Sequence, residues 1–360
     1  MLGNKHMMGK ATSGKRVAVV ACMLLVLGLL PTQHAVAQFD TLTREVTKRG
    51  TTAADFLTIP VGARATGMGN AITASVDDAT SVYWNPAGLA SIDKGAVTLE
   101  YAEWLVGVDF NFVSVSIPVQ NGAFAIGLTS MRTPDMEVTT VEQQNGTGET
   151  FTASSYALAA SYARNLTDKF SIGGSAKVIN ERIWNSTATG VAIDVGTMFE
   201  TPFQGIRLGA AITNFGSKMQ LGGDDLLIAV DIDPNNEGNN ESARGSLNTD
   251  QFDLPLTMRI GLAGEVFQDQ NSRLTLAVDA LNPNNSEQYL NVGAELALFG
   301  ELLMLRGGYS ELLLDDALRS FTVGGGLRYG FGSLAFAVDY AYESLEYFDG
   351  VNRFTFALLF

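Results

Sequence analysis

Residues 334–343 read Leu-Ala-Phe-Ala-Val-Asp-Tyr-Ala-Tyr-Glu, and this stretch decides the fold class. Large apolar or aromatic side chains occupy the even positions, and small or acidic side chains occupy the odd positions. Successive side chains of a β-strand point to opposite faces of the sheet. The alternation therefore predicts a strand with one apolar face and one small or polar face.

The same period of two recurs from Ala96 to Phe360 in segments of about eight to twelve residues. We count fourteen segments, an even number, as single-chain bacterial outer-membrane barrels have. The short apolar run 226–230 could add or replace a strand. No segment after the first 37 residues has the run of about 18 apolar residues that a membrane-spanning helix needs. The predicted strands lie near residues 96–104, 108–118, 123–131, 153–163, 170–181, 188–200, 206–214, 254–266, 273–280, 289–298, 302–310, 320–329, 334–342 and 353–360.

The gaps between these segments are sorted by length. Counted back from a periplasmic C-terminus, the periplasmic gaps are short, whereas the external gaps 132–152, 215–253, 281–288, 311–319 and 343–352 are longer. The gap at 105–107 is a short exception. Transmembrane barrels have short periplasmic turns and longer external loops. We therefore expect an all-β, transmembrane antiparallel barrel over residues 96–360, located in the bacterial outer membrane and in contact with its lipid.

The first 37 residues have the pattern of a secretory signal peptide. A basic start with Lys15 and Arg16 precedes the apolar stretch 17–30, and Ala35-Val-Ala37 before Gln38 fits a cleavage site. We expect cleavage between Ala37 and Gln38. Cys22 suggests a lipoprotein anchor as an alternative, but apolar residues continue after it, whereas a lipid-modified cysteine should end the apolar stretch.

The composition argues against an enzyme. Both histidines, His6 and His34, and the single cysteine, Cys22, lie in the predicted leader. The mature chain would lack the commonest acid–base group and the best nucleophile, so we expect no catalytic residues and no cofactor. Without the four leader cations, 19 Lys and Arg face 38 Asp and Glu, a formal charge of −19. This charge excludes nucleic acid as an expected partner.

A calcium site is suggested weakly by alternating oxygen ligands over residues 231–237. The stretch lacks a glycine at its sixth position, Asn236, and an acid at its twelfth, Ser242. We interpret it as a solvated acidic loop and expect no metal.

The polar face of the strands predicts the contents of the barrel. Fourteen strands enclose a lumen too wide for wall side chains alone to fill, so it must hold water or a plug. We expect the inward charges to pair across the lumen and to hold its contents in place; a permeation path with a selectivity ring is the alternative. The inward charges are Glu100, Lys177, Asp194, Arg207, Arg259, Glu265, Asp279, Glu295, Arg306, Arg328 and Asp339.

Residues 38–95 lack sustained alternation and are the predicted plug. Asn85-Pro86 is a helix-start signal, and Gly88 then permits a tight exit from the helix. Asp77 and Asp78 are expected to accept hydrogen bonds from orphan backbone amides or to pair with lumen arginines.

Three stretches of this segment resemble the opening of the PorV/PorQ family, a branch of the FadL-like outer-membrane proteins. They are Phe-Leu-Thr-Ile-Pro-Val-Gly-Ala-Arg-Ala-Thr-Gly-Met-Gly-Asn at 56–70, Asp-Asp-Ala at 77–79 and Tyr-Trp-Asn-Pro-Ala-Gly-Leu at 83–89. The resemblance implies a hatch motif inside the barrel, built from Asp77, Asp78, Asn85, Pro86, Ala87 and Gly88. It also implies that the terminal Phe360 is the signal for the barrel-assembly machinery.

The resemblance further implies a role in type IX secretion, in which the protein binds secreted proteins by a common C-terminal domain and contacts other secretion components. A FadL-like channel for hydrophobic or amphipathic solutes is the alternative function. A structural barrel that anchors another surface protein is a third. Fold alone does not distinguish these functions.

Overall fold

The computed structural model describes residues 48–203, 205–233, 235 and 242–360, so the predicted signal peptide and its cleavage site lie outside the described residues. Fourteen antiparallel strands form a closed barrel. Each strand pairs with its neighbours in sequence, and the first pairs with the last through partners such as Ala96 and Leu359. The strands are β1 Ala96–Glu103, β2 Asp109–Val119, β3 Gly122–Arg132, β4 Ala153–Thr167, β5 Phe170–Ile183, β6 Ser186–Glu200, β7 Arg207–Gly216, β8 Thr257–Gln268, β9 Arg273–Pro283, β10 Tyr289–Leu298, β11 Leu303–Leu312, β12 Arg319–Phe331, β13 Leu334–Leu345 and β14 Val351–Leu359.

The alternation in sequence corresponds to the two faces of the wall. Leu99 is 46% exposed on the outer face, whereas its neighbour Glu100 is 4% exposed on the inner face. The predicted number of strands and the all-β, closed antiparallel barrel are confirmed. The apolar run 226–230 neither adds nor replaces a barrel strand, because its residues Leu227–Val230 pair with Ala243–Ser246 in a hairpin outside the wall.

The connections are sorted by end less strongly than predicted. All turns at the end that carries Phe360 are short, as expected of a periplasmic end, and the two ends are named periplasmic and external on this basis. Among the external connections, only 133–152 and 217–256 are long, and the β5–β6 turn consists of Trp184 and Asn185 alone. The strands extend outward beyond their apolar stretch by backbone pairing, which the hydrophobic pattern does not report.

Residues 48–95, here the inner segment, lie within the barrel. The helix α1, Ala63–Gly67, contacts β11 to β14, and a 3-10 helix, Pro86–Ser91, contacts β3 to β6 on the other side. The segment also contains a 3-10 turn, Asp55–Thr58, and a helical turn α2, Ser81–Trp84. None of the helices in the described part of the chain is long and apolar enough to cross a membrane.

The inner segment runs from the external end to the periplasmic end. Near its start, the Ala53 N–H donates to the Asp253 carbonyl in the long external connection at 2.9 Å. At its end, the Gly95 carbonyl accepts from the Phe360 N–H at 2.8 Å, beside the first residue of β1. Most side chains between these points are buried.

Candidate functional sites: the filled lumen and the external face

A buried ionic cluster joins the inner segment to the wall near its periplasmic half. Glu295 of β10 contacts Arg64 of α1 at 3.3 Å, Arg273 of β9 at 3.1 Å and Arg306 of β11 at 2.8 Å. Arg306 also contacts Asp339 of β13 at 2.5 Å. Through Glu295, one inner-segment arginine is thereby linked to residues of four strands, β9, β10, β11 and β13, and these buried charges are paired and hydrogen-bonded as burial requires.

Several other inward charges pair with neighbours along the wall. Lys177 contacts Asp194 at 2.7 Å between β5 and β6, and Glu100 contacts Arg353 at 2.9 Å between β1 and β14. The prediction that such charges pair across the lumen is wrong, because the inner segment occupies the space between opposite sides of the wall. Adjacent strands lie only about 4.8 Å apart, so neighbouring side chains meet first.

Wall carboxylates also hold the backbone of the inner segment. Glu100 accepts the Gly62 N–H at 2.5 Å, and Asp279 accepts the Ile72 and Thr73 N–H groups, both at 2.9 Å. Buried amides need such acceptors in the absence of a strand or helix partner. The sequence offered Asp77 and Asp78 for this role, with pairing to arginines inside the lumen as the alternative. The sequence did contain a signal for these wall residues. Asp279 is an inward acid on a strand whose other inward residues are mostly small, and such an acid could have been predicted to contact the inner segment.

Asp77 and Asp78 instead stabilise the inner segment itself. The carboxylate of Asp77 contacts the Arg64 guanidinium, and Asp78 contacts the same group at 3.3 Å. Asp78 also accepts the Thr80 N–H at 2.8 Å. Both expected kinds of contact are present: the arginine inside the lumen is Arg64 of the inner segment, and Asp78 accepts a backbone amide. Arg64 also links this pair to Glu295.

Asn85 connects the two halves of the inner segment to the wall. Its Oδ1 accepts the Ala87 N–H at 3.1 Å, which caps the 3-10 helix that begins at Pro86. Its Nδ2 donates to the Thr73 carbonyl at 2.9 Å and to the Thr197 carbonyl of β6 at 3.1 Å. A single buried amide thus satisfies a helix start, an inner loop and a barrel strand.

Gly88 lies inside the helix Pro86–Ser91, so the prediction of a helix exit at this position is wrong. A Cβ at Gly88 would come within 2.4 Å of the Val76 carbonyl oxygen, so the glycine permits close packing of two parts of the inner segment. The wall is shaped in the same way. A Cβ at Gly173 would lie 2.4 Å from the Pro86 carbonyl carbon, and one at Gly196 would lie 2.0 Å from the Asn85 Oδ1.

Two aromatic residues of the inner segment, Tyr83 and Trp84, lie beside a wall arginine near the external end of the lumen. The Arg259 guanidinium lies over the Trp84 ring at 4.9 Å and over the Tyr83 ring at 5.7 Å. Trp84 Nε1 donates to the Val61 carbonyl at 2.7 Å. A small cavity of about 20 Å³ beside these residues has room for about one water molecule.

The external face carries an acidic connection between β7 and β8. Its base is attached to the β5–β6 turn: Asp225 accepts hydrogen bonds from the Asn185 N–H at 2.8 Å and from the Ser186 hydroxyl at 3.0 Å. Burial raises the pKa of Asp225, but the hydrogen bonds from Asn185 and Ser186 lower it by more, so the pKa lies below its ordinary value. At the same place, the two-residue strand Gly222–Gly223 pairs with Ser186 and Thr187 of β6.

An open groove of about 660 Å³ lies on the external rim where β1 meets β14. It is bordered by the 3-10 turn Leu105–Gly107, in which the Val106 side chain is 84% exposed, and by the connection 346–350. The lining is mixed, with the aromatic residues Tyr101, Trp104, Tyr340, Phe348 and Phe354 beside Glu103 and Asp349.

Within the described residues, no group of three acids, histidines or cysteines is placed to hold a metal ion. The weak calcium pattern at 231–237 falls partly outside those residues.

Comparisons with known proteins point to one family and one fold. Residues 43–225 match the family model described as "Type IX secretion system protein PorV". The fold is similar to the toluene transporter TodX of Pseudomonas putida, with a TM-score of 0.52 and 14% identity over 83% of this chain and 96% of that chain. It is also similar to the toluene transporter TbuX of Ralstonia pickettii, with a TM-score of 0.51 and 11% identity over 83% and 97%. No curated protein sequence matches significantly.

Proposed function

The chain belongs to the PorV family of type IX secretion system proteins and lies in the outer membrane, and from this premise we propose that it binds secreted cargo at the cell surface. The external connections bind the cargo or machinery partners. The inner segment acts as a hatch that keeps the lumen closed. No chemical step is required of the protein, and we propose that it is not an enzyme.

The attachment of Arg64 to Glu295 is the observation that carries this proposal. A conducting pore needs mobile or water-lined charges, whereas these charges are engaged with each other in a buried cluster. Asn85 adds a second attachment on the opposite side of the lumen. A barrel filled in this way leaves its two end faces for partners, and the longer connections, 133–152 and 217–256, lie on the external face.

Site-specific photocrosslinking tests the proposal. Tyr347 lies in the external connection 346–350 and is 68% exposed, whereas Phe203 lies in a periplasmic turn and is 74% exposed. Replacing each by p-benzoylphenylalanine keeps an aromatic ring at both places. Under irradiation of intact cells, the probe at 347 should form adducts with secreted proteins that share one C-terminal domain.

The probe at 203 is the matched control and should give no such adducts. Absence of adducts at 347, in a membrane pull-down that recovers the folded barrel, would contradict cargo binding at this face. Adducts at 203 alone would place the partner on the periplasmic side.

A channel for hydrophobic solutes is the second candidate. The rim groove with its aromatic lining favours it, as does the barrel fold that the chain shares with two toluene transporters. Vesicles containing the purified protein would then take up a fluorescent fatty-acid analogue, and Asn85→Ala would change the rate. Asn145→Ala, in an exposed external connection, is the control. Equal uptake by all three proteins would exclude a channel that is regulated by the hatch.

A further inference from the structure

One strand of the external face has a free edge. Leu227–Val230 pairs on one side with Ala243–Ser246 and with no other strand among the described residues. All four of its side chains are exposed, including Leu227 at 45%, Ile228 at 40% and Val230 at 38%. Proteins usually protect such edges with charged side chains, proline or bulges, and this strand contains none of them.

The directions of the backbone N–H and C=O groups show which of them are free to pair with another strand. Opposite residues in an antiparallel ladder alternate between hydrogen-bonded and non-hydrogen-bonded pairs. The Leu247 N–H donates to the Leu226 carbonyl at 2.9 Å, so the alternation places Leu227 and Ala229 in non-hydrogen-bonded pairs. The Leu227 N–H already donates to the Asp224 carbonyl. The free edge therefore presents the Leu227 carbonyl and both the N–H and the carbonyl of Ala229.

The edge is held in place before any partner arrives. Asp225, two residues before the strand, accepts hydrogen bonds from Asn185 and Ser186, and Gly222–Gly223 pairs with β6. A preformed edge loses less conformational entropy on binding than a loop that must fold first.

The charge around the strand selects a basic partner. Among the described residues between 215 and 253, six acids stand against two cations, Lys218 and Arg244. The strand itself is apolar, so a partner strand with apolar and basic side chains would match both its faces and its surroundings. Addition of an extended segment to an exposed sheet edge is an established recognition mode.

We propose that the free edge of Leu227–Val230 binds an extended basic strand of a secreted protein by β-strand addition. The proposal rests on the proposed function, because it names the element that would recognise the cargo. Ala229 is its central residue, and it contributes both a donor and an acceptor.

A defined peptide tests the edge independently of any natural cargo. The probe is the fluorescent decapeptide amide Lys-Val-Thr-Val-Lys-Val-Thr-Val-Lys-Val, with a version in which Glu replaces Lys and a version N-methylated at alternate residues. Binding to the protein in lipid nanodiscs is measured by anisotropy. The basic peptide should bind at least about tenfold more tightly than the other two, because only it offers both donors and matching charge.

Two variants at one position locate the site. Ala229→Pro removes the outward N–H, while the hairpin ladder bonds of Ile228 and Val230 are retained. Ala229→Thr keeps the N–H and is the matched control. The proline variant should bind the basic peptide about tenfold more weakly, whereas the threonine variant should bind as the wild type does. Equal binding by the proline variant, equal binding of the basic and acidic peptides, or no binding by the wild type would overturn the proposal.

If the proline variant loses its hairpin, the N-methylated peptide still tests the edge. It removes donors from the peptide, so its binding is compared with that of the basic peptide on the wild-type protein. Cargo recovery separates this inference from the proposed function. Recovery of cargo by the wild type and equally by Ala229→Pro would reject the edge and retain cargo binding. No recovery by the wild type would reject cargo binding, while the peptide result still decides the edge.

Discussion

Glu295 of the barrel wall and Arg64 of the inner segment form a buried ion pair, with the Arg64 Nε donating to the Glu295 Oε2 at 3.3 Å. Glu295 is 1% exposed, and it also contacts two wall arginines. It is the one described carboxylate that contacts three arginines at once. The inner segment and the wall therefore share one buried counter-ion.

Removing that counter-ion should loosen the hatch. Glu295→Gln leaves three arginines without their central charge, and breaking a buried pair in this way costs about 3–5 kcal/mol. We expect the urea midpoint of the detergent-solubilised barrel to fall and ion conductance in planar bilayers to appear.

Glu301→Gln is the control for this change. Glu301 also contacts Arg273, at 3.1 Å, but its side chain is 45% exposed. Exposed pairs contribute at most about 1 kcal/mol, so its effect should be small and its conductance unchanged. Equal losses in the two variants would show that Glu295 does not hold the hatch.

The glycines of the wall should tolerate substitution unequally. Gly196→Ala places a methyl group 2.0 Å from the Asn85 Oδ1, so the hatch motif must shift. A Cβ at Gly325 meets its nearest atom, the Met304 carbonyl oxygen, at 3.5 Å. We expect Gly196→Ala to destabilise the barrel by about 1–3 kcal/mol and Gly325→Ala to change it little. The folded fraction on unheated gels and the urea midpoint measure both, and a reversed order would contradict the close packing.

The orientation of the inner segment can be tested by labelling. Arg49 is exposed at the external end, where its guanidinium donates to the Asp316 carbonyl at 2.6 Å. Lys94 is exposed at the periplasmic end, where it donates to the Ser333 carbonyl at 3.1 Å. A membrane-impermeant maleimide should label Arg49→Cys in intact cells, and Lys94→Cys only after the outer membrane is permeabilised. The opposite pattern would show that the barrel has the opposite orientation in the membrane.

Acid should release the base of the acidic connection. The pKa of Asp225 is lowered in the folded state, so its hydrogen bonds stabilise the connection fully above about pH 4, its ordinary range. This stability is lost as the pH falls through the lowered pKa, when the carboxyl group takes up a proton. Hydrogen exchange at Gly222–Gly223 and Asn185, corrected for intrinsic rates, should accelerate below about pH 4 in the wild type.

Asp225→Asn should remove most of that dependence, and Asp224→Asn should leave it in place. Protection that stays constant from neutral pH to pH 2 would show that Asp225 does not hold the connection.

The sequence predicts the wall of this protein much better than its interior. The alternation of apolar side chains with small or polar ones predicts all fourteen strands. One face of each strand meets lipid and the other does not, so the side chains of the two faces differ in size and polarity. Strand ends are less accurate: β4 continues to Thr167, beyond the predicted end at 163, because backbone pairing does not require an apolar side chain.

The contacts of the inner segment depend on strand register and on close approach between backbones, which a single sequence does not show. Arg353 was absent from the expected inward charges, although it is the partner of Glu100. Gly88 was expected to end a helix, whereas it makes room for Val76. The Asn85–Pro86 helix start lies within the window of family resemblance, and there local capping chemistry was enough to predict the local structure.

The path of the inner segment constrains how the molecule is assembled. It joins β1 at one mouth of the barrel and reaches the opposite mouth, where Ala53 meets Asp253. A cylinder that sealed first would have to be threaded afterwards by its own amino-terminal end, and folded chains avoid threading. We therefore expect the segment to lie along the sheet before β1 pairs with β14, so that this pairing encloses it.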